Sequence, residues 1–255
     1  MSEERPAALD YTGRAVDCDD CPANRPSVRC RVGYACAQDR YAPRIYRFFD
    51  WNRDTADDWL GHPYFEVRAI AAVFANVFRL SALMQDPDET VRTMVATRLP
   101  ARLLTGLVAD PHREVRIRVA QRLPPSAVRL LRHDPDYLVR VWVARRIPSA
   151  GLAEMVDDPE PQVRLEAARR LQGRALRRLL RDRDLGVRRA VAERAPPGLL
   201  TELATDPAWE VRWEVARRAT ASLAVQLTTD EEDAVCAAAA ERLAELARPT
   251  PTVGP

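Results

Sequence analysis

Polar and apolar positions along this 255-residue chain recur with a constant step of 24 residues. An Asp-Pro dipeptide or a near variant opens each unit, at His62-Pro63, Asp86-Pro87, Asp110-Pro111, Asp134-Pro135, Asp158-Pro159, Asp182-Arg183, Asp206-Pro207 and Asp230-Glu231. Five residues after the Asp position stands Val (Val67, Val91, Val115, Val139, Val163, Val187, Val211, Val235). Ten residues after it stands Ala (Ala72, Ala96, Ala120, Ala144, Ala168, Ala192, Ala216, Ala240). A fixed period of this length describes a stack in which each unit buries its apolar face only against its neighbours.

Asp followed by Pro reads as a helix N-cap and first helical residue, because the carboxylate accepts orphan amides and Pro has no amide to leave unpaired. Each Asp is therefore expected to start a helix of about twelve residues, stopped where Pro disfavours helical geometry in the residue before it. The stops are Leu99-Pro100, Leu123-Pro124, Ile147-Pro148 and Ala195-Pro196. Between stop and next Asp lie apolar pairs three apart, such as Leu80/Leu83, Leu104/Leu107, Leu152/Met155 and Leu200/Leu203, which suit one 3₁₀ or helical turn. No β-branched run alternates with polar residues. The prediction is an all-α solenoid of eight units, each a longer helix plus a short one, over residues 61–247. A cysteine-rich module and aromatic capping helix (1–60) precede it, and a disordered tail (248–255) follows.

Arg follows the repeated Val in seven units, at Arg68, Arg92, Arg116, Arg140, Arg164, Arg188 and Arg212, with Cys236 in the eighth. At about 100° per residue this position falls at about 240°, between the apolar thirteenth position and the Ala at ten, so it faces the stack. A guanidinium there needs a carboxylate, and the acid that recurs with it is the Asp of the same or the next unit, which predicts a structural ladder. The Arg at position twelve (Arg98, Arg122, Arg146, Arg170, Arg194, Arg218, Arg242) lies near about 120° and is expected to be exposed.

Composition narrows the function classes. With 47% hydrophobic residues the chain can bury a core, and a net charge of +2, all 39 basic residues being Arg, selects no partner by itself. No segment reaches the roughly 18 apolar residues of a membrane span and the N-terminal stretch lacks a signal-like apolar run, so the expectation is a cytoplasmic protein. Locally, ten Arg stand against three acids between Arg164 and Arg189. Arg174, Arg177, Arg178 and Arg181 are expected to form a basic patch able to take polyanions, without aromatics for base stacking.

Cys18, Cys21, Cys30 and Cys36 form C-x₂-C-x₈-C-x₅-C, a complete four-thiolate shell, while Cys236 stands alone and reads as a packed free thiol. In a reducing compartment the cluster of cysteines suggests metal before disulfide, and the spacing leaves Zn²⁺ and an iron–sulphur cluster both open. Pro22, Pro26 and Gly33 fit a tight metal-wrapped loop. Ile45, Phe48, Phe49, Trp51, Trp59 and Leu60 supply an aromatic cap for the first unit. His62, His112 and His133 belong to no catalytic motif, and no phosphate loop, dinucleotide fingerprint or paired-His zinc motif is present, so no enzymatic activity and no small-molecule substrate are expected.

The Asp-Pro-x-x-x-Val-Arg core, its 24-residue period and the cysteine-rich N-terminus together resemble the leucine-rich repeat variant family over essentially the whole chain. The resemblance implies a right-handed superhelix of alternating α- and 3₁₀-helices behind a small [4Fe-4S] domain, with Cys18, Cys21, Cys30 and Cys36 as cluster ligands. Two functions are consistent with it: a non-enzymatic scaffold for a protein or nucleic-acid partner, or a redox protein using the cluster for electron transfer or for oxygen or iron sensing.

Overall fold

A computed structural model describes residues 8–248. Its elements are helical, and the described residues carry no strand beyond two isolated bridges, Leu9 to Ala15 and Arg31 to Ala35. The chain divides into two compact units, Met1–Leu130 and Leu131–Pro255. Apart from Arg248, the expected tail lies outside the described residues.

In the first unit an irregular cysteine-containing segment leads into α1 (Ala42–Trp51) and a 3₁₀ helix (Arg53–Trp59). The repeat helices α2 (Phe65–Phe74), α3 (Glu89–Arg98) and α4 (Arg113–Arg122) follow, joined by 3₁₀ segments Val77–Gln85 and Ala101–Leu107. A 3₁₀ turn, Val128–Leu131, marks the division. Helices α1 to α4 stack in chain order. In the second unit the repeat helices are α5 (Tyr137–Arg146), α7 (Pro161–Ala168), α9 (Leu185–Ala192), α11 (Trp209–Arg218) and α13 (Asp233–Leu246). Between them the short element is α-helical: α6 (Ser149–Leu152), α8 (Gly173–Arg177), α10 (Pro197–Leu203) and α12 (Ala221–Leu227).

The core follows the repeat. In α3, Val91, Val95, Ala96 and the terminating Leu99 have no exposed surface, as do Val115, Val119, Ala120 and Leu123 one unit later. Their spacing of four, one and three puts them on one stripe of a helix. The short elements add the apolar pairs, for example Leu104 with Leu107 and Leu200 with Leu203. The Ala at ten is buried from Ala72 through Ala216, where a larger side chain would hold neighbouring helices apart. Leu99 and Ile147 are extended, with ψ 146° and 142°, as a residue before Pro must be, and the helices end there.

The helix starts differ from expectation. The repeated Asp is not the N-cap, and its Pro is not helical: α3 begins at Glu89, three residues beyond Asp86, and is capped by Asp88, whose carboxylate accepts from the Thr90 amide at 2.8 Å. Asp86 instead accepts the Asp88 amide at 3.0 Å, and the same turn recurs at Asp110, Asp134, Asp158, Asp182, Asp206 and Asp230. The Asp side chain closes a turn ahead of the helix because that geometry leaves its oxygens free for a partner from the preceding unit. The α-helices are therefore eight or ten residues long in α2 to α11 where they carry the repeat, shorter than the expected twelve.

Candidate metal centre and arginine ladders

The guanidinium six residues past each Asp reaches forward by 18 residues. Arg68 meets Asp86 through Nε at 2.8 Å and Nη2 at 2.7 Å, and Arg92 meets Asp110 at 2.7 and 3.0 Å. Arg140 to Asp158, Arg164 to Asp182, Arg188 to Asp206 and Arg212 to Asp230 repeat the bidentate fork. Arg116 is equally buried and also donates Nη1 to the Asp110 carbonyl at 2.8 Å. That third bond recurs: Nη1 of Arg92 donates to the Asp86 and Pro87 carbonyls at 2.7 and 3.2 Å. Each such guanidinium thus spends its donors on its own turn and on the carboxylate of the next unit. For Asp86 and Asp182, burial pushes the carboxyl up, but the bond from Arg68 or Arg164, the amide two residues on and nearby guanidinium charge outweigh it, leaving a lowered pKa. Asp230 is lowered too, chiefly by Arg212. In the eighth unit Cys236 takes the Arg position, half-buried, and its Sγ donates to the Asp230 carbonyl at 3.1 Å where the other units use an Arg Nη1.

A second ladder runs backward and corrects the expectation of an exposed stripe. Arg98 donates Nη1 to the Ala72 and Ala75 carbonyls at 2.7 and 2.6 Å, and Arg122 to those of Ala96 and Leu99 at 2.7 and 2.8 Å. Arg170 reaches Ala144 and Ile147, Arg218 reaches Ala192, and Arg242 reaches Ala219. These carbonyls end the preceding helix and have no intrahelical partner, and a cation there also complements the helix dipole. Arg98, Arg122, Arg146, Arg170, Arg218 and Arg242 are half-buried; Arg194 is exposed as expected.

The cysteines sit in the module ahead of α2. Cys18 and Cys21 are linked by a turn in which the Cys21 amide donates to the Cys18 carbonyl at 3.3 Å. Cys30 lies between Arg29 and Arg31, and buried Asn52 clamps that backbone, accepting the Arg29 amide and donating to the Arg29 carbonyl, both at 2.8 Å. A turn from Arg31 to Tyr34 with Gly33 at φ +73° carries the chain to buried Cys36, whose amide donates to the Arg44 carbonyl at 3.2 Å. Only a residue without a Cβ adopts that φ without strain. Asp39, wholly buried, pairs with Arg44 at 2.8 Å and anchors the turn to α1.

Cys18, Cys21 and Cys30 line a cavity of about 250 Å³ with Ala23, Asn24, Arg25, Val28 and Val32. The hydrogen bond with Cys30 pushes the Cys36 thiol up, burial adding to it, and the same bond draws Cys30 down against burial and the charges of Cys21 and Cys18. Cys18 is raised by burial and then by Cys36 and Cys21. The four thiols therefore feel one another, and four thiolates in this space need a cationic core. Among the described residues no three Cys, His, Asp or Glu side chains close on a single ion. One tetrahedral Zn²⁺ with Zn–S of about 2.3 Å would draw four sulphurs onto one point. Three of the four cysteines thus share one cavity, a donor set that soft thiolate chemistry makes suitable for zinc or for an iron–sulphur cluster.

The aromatic cap packs as expected at Ile45, Phe48, Phe49 and Trp59, all buried, with Phe48 and Phe49 edge-to-face on Trp59 at 5.6 and 6.1 Å. Trp51 and Leu60 are half-buried. His62 stands in the first unit's Asp position: its Nδ1 accepts the Tyr64 amide at 3.1 Å, as the Asp carboxylates do elsewhere.

Comparison with known proteins agrees with this geometry. Residues 8–62 match a family model described as LRV protein FeS4 cluster, and residues 185–208 match one described as leucine rich repeat variant. A solved structure titled as a leucine-rich repeat variant with a novel repetitive protein structural motif is 38% identical, with a TM-score of 0.83 over 89% of this chain and 99% of that one. The chain belongs to the leucine-rich repeat variant family. An uncharacterized 27.7 kDa protein in the nifB 3' region of Rhodobacter capsulatus is 50% identical over 100 residues, which are 38% of this chain and 41% of that protein. As a leucine-rich repeat variant protein with an FeS4-cluster domain, the chain uses its repeated arginines within the repeats.

The expected basic patch is partly neutralised. Arg174, Arg177, Arg178 and Arg181 are all exposed, but Arg177 pairs with Glu202 at 2.8 Å and Arg178 pairs with Asp157. Arg189 likewise reaches Glu214 at 3.3 Å. Acids one repeat away in sequence are neighbours in space, so a count along the chain overstates the local charge.

Proposed function

We propose that Cys18, Cys21, Cys30 and Cys36 hold a [4Fe-4S] cluster and that the protein is a non-enzymatic cytoplasmic scaffold, its repeats presenting surface to a macromolecular partner. One observation carries the reading: Cys18, Cys21 and Cys30 line one cavity, with buried Cys36 close behind them in sequence, in a module clamped to α1 by Asn52 and Arg44, within the segment matched by the FeS4-cluster model. When bound, such a cluster would supply one-electron transfer, and its cationic core would offset part of the negative charge of the four thiolates. The chain's own residues do the positioning: Gly33 turns the loop, Asn52 fixes the Arg29 backbone just ahead of Cys30, and Asp39 with Arg44 holds Cys36 inward. Both ladders consume repeat arginines in structure, which leaves binding to the faces between them. No described helix is long and apolar enough to cross a membrane.

The reading in which the cluster is redox-active is favoured by Cys18 and Cys30 being exposed, since a partner can approach that side. The test is to cycle the anaerobic holoprotein with dithionite and ferricyanide while following visible absorbance and helical circular dichroism. A scaffold with a structural cluster loses its colour irreversibly as the module unfolds. Reversible bleaching with unchanged circular dichroism assigns the redox role instead.

A further inference from the structure

Three guanidiniums on the Cys30 side of the module stand apart from all the ladder arginines. Arg29 lies 5.2 Å over the Trp51 ring, Arg31 lies 5.5 Å and Arg47 4.6 Å over the Tyr34 ring, and the two rings are 5.8 Å apart. Among the described residues none of these three arginines has a carboxylate within 4.0 Å, although Arg25 nearby pairs with Asp58 at 3.0 Å. Arg29 and Arg31 are exposed, and exposed Val32 follows them at the tip of the turn. Asn52 fixes the backbone beneath Arg29, and Arg47 donates Nη1 to the Tyr34 carbonyl at 3.0 Å, so the platform is held in place before anything binds.

We infer that this face, Arg29, Arg31 and Arg47 on Tyr34 and Trp51, is the docking surface for a carboxylate-rich protein partner that meets the module beside Cys30. The inference rests on the scaffold reading and names its partner chemistry. A guanidinium stacked on a ring keeps its N–H edge outward, a fork matched to carboxylates. The ring faces that nucleic-acid bases would need are already covered by guanidiniums, which disfavours single strands. Exposed Asp17, Asp19 and Asp20 flank Cys18 in sequence and leave that part of the module acidic, away from the stacked arginines along the chain.

The experiment uses anaerobically purified holoprotein and a fluorescein-labelled oligoglutamate peptide, with an oligothymidylate of equal charge as the competing probe, read by anisotropy at about 50 mM salt. The expected result is peptide binding that weakens at least about ten-fold in R29Q/R31Q/R47Q and about three-fold in R47Q alone, as rim charges removed from an electrostatic interface behave. R47Q lies on α1 outside the cysteine loop, and an unchanged visible spectrum shows that its module is intact. The control R79Q/R102Q/R129Q, three exposed arginines elsewhere, is expected to bind as wild type. Equal binding by wild type and R47Q, tighter binding of the oligothymidylate, or no binding by wild type each overturns the inference. Loss of binding only in the control variant overturns this face while leaving a scaffold with another binding surface.

Discussion

A guanidinium placed six residues beyond each repeated Asp is the smallest unit of this fold. Arg164 and Asp182 show it in its most sequestered form, each side chain 5% exposed and joined at 2.7 and 2.8 Å. Arg164→Ala leaves a buried carboxylate without its partner and is expected to destabilise the chain by about 3–5 kcal/mol, measured as a fall in the urea midpoint. A loss under about 1 kcal/mol, as an exposed ion pair gives, would show that the ladder is ornamental. The pH dependence follows from the lowered carboxyls of Asp86, Asp182 and Asp230. A folded-state pKa below the unfolded one contributes stability that is complete above the unfolded value and is lost as pH falls through the folded one. Acid titration is therefore expected to weaken the wild type below about pH 4, and Asp182→Asn is expected to flatten that fall. An unchanged slope in the variant contradicts the assignment.

At the scale of one helix and its neighbour, the sequence was legible where the side chain is short. Val at five, Ala at ten through Ala216 and the apolar residue at thirteen fall on the buried stripe that periodicity assigns. It was illegible where the side chain is long, because a helical wheel locates the Cα–Cβ direction and not the reach of a guanidinium. Arg170, two residues past the end of α7, turns back to the Ala144 and Ile147 carbonyls, 26 and 23 residues earlier. The recurrence of Arg at position twelve was the available signal. The displaced helix start has a related cause, since Asp in front of Pro serves a turn or a cap equally well and the choice depends on the Arg arriving from the preceding unit. Arg170→Ala is expected to cost about 1.5–3 kcal/mol, the worth of bonds from a charged donor to buried carbonyls, against under about 0.5 kcal/mol for exposed Arg194→Ala. Equal effects in urea melts contradict the backward ladder. Ala144→Leu, at a site with no exposed surface, is expected to destabilise by about 1–3 kcal/mol through overpacking.

Across the whole molecule, repeat architecture converts sequence separation of one period into contact, which governs both structure and charge. Glu202 beside Arg177 and Asp157 beside Arg178 neutralise what a linear count gives as excess. The cysteine module obeys different rules: its spacing announced a metal shell, but neither its clamp at Asn52 nor the stacked arginines around Cys30 has a periodic signature, so only the folded chain brings them together. The cluster itself is read by Fe, acid-labile sulphide and Zn analysis of protein purified without oxygen, with its visible spectrum. The expected result is brown protein with about four iron and four sulphide per chain, colour lost or degraded in Cys18→Ser, Cys21→Ser, Cys30→Ser or Cys36→Ser and retained in Cys236→Ser. Colourless protein carrying stoichiometric zinc, or colour that survives Cys36→Ser unchanged, would contradict it.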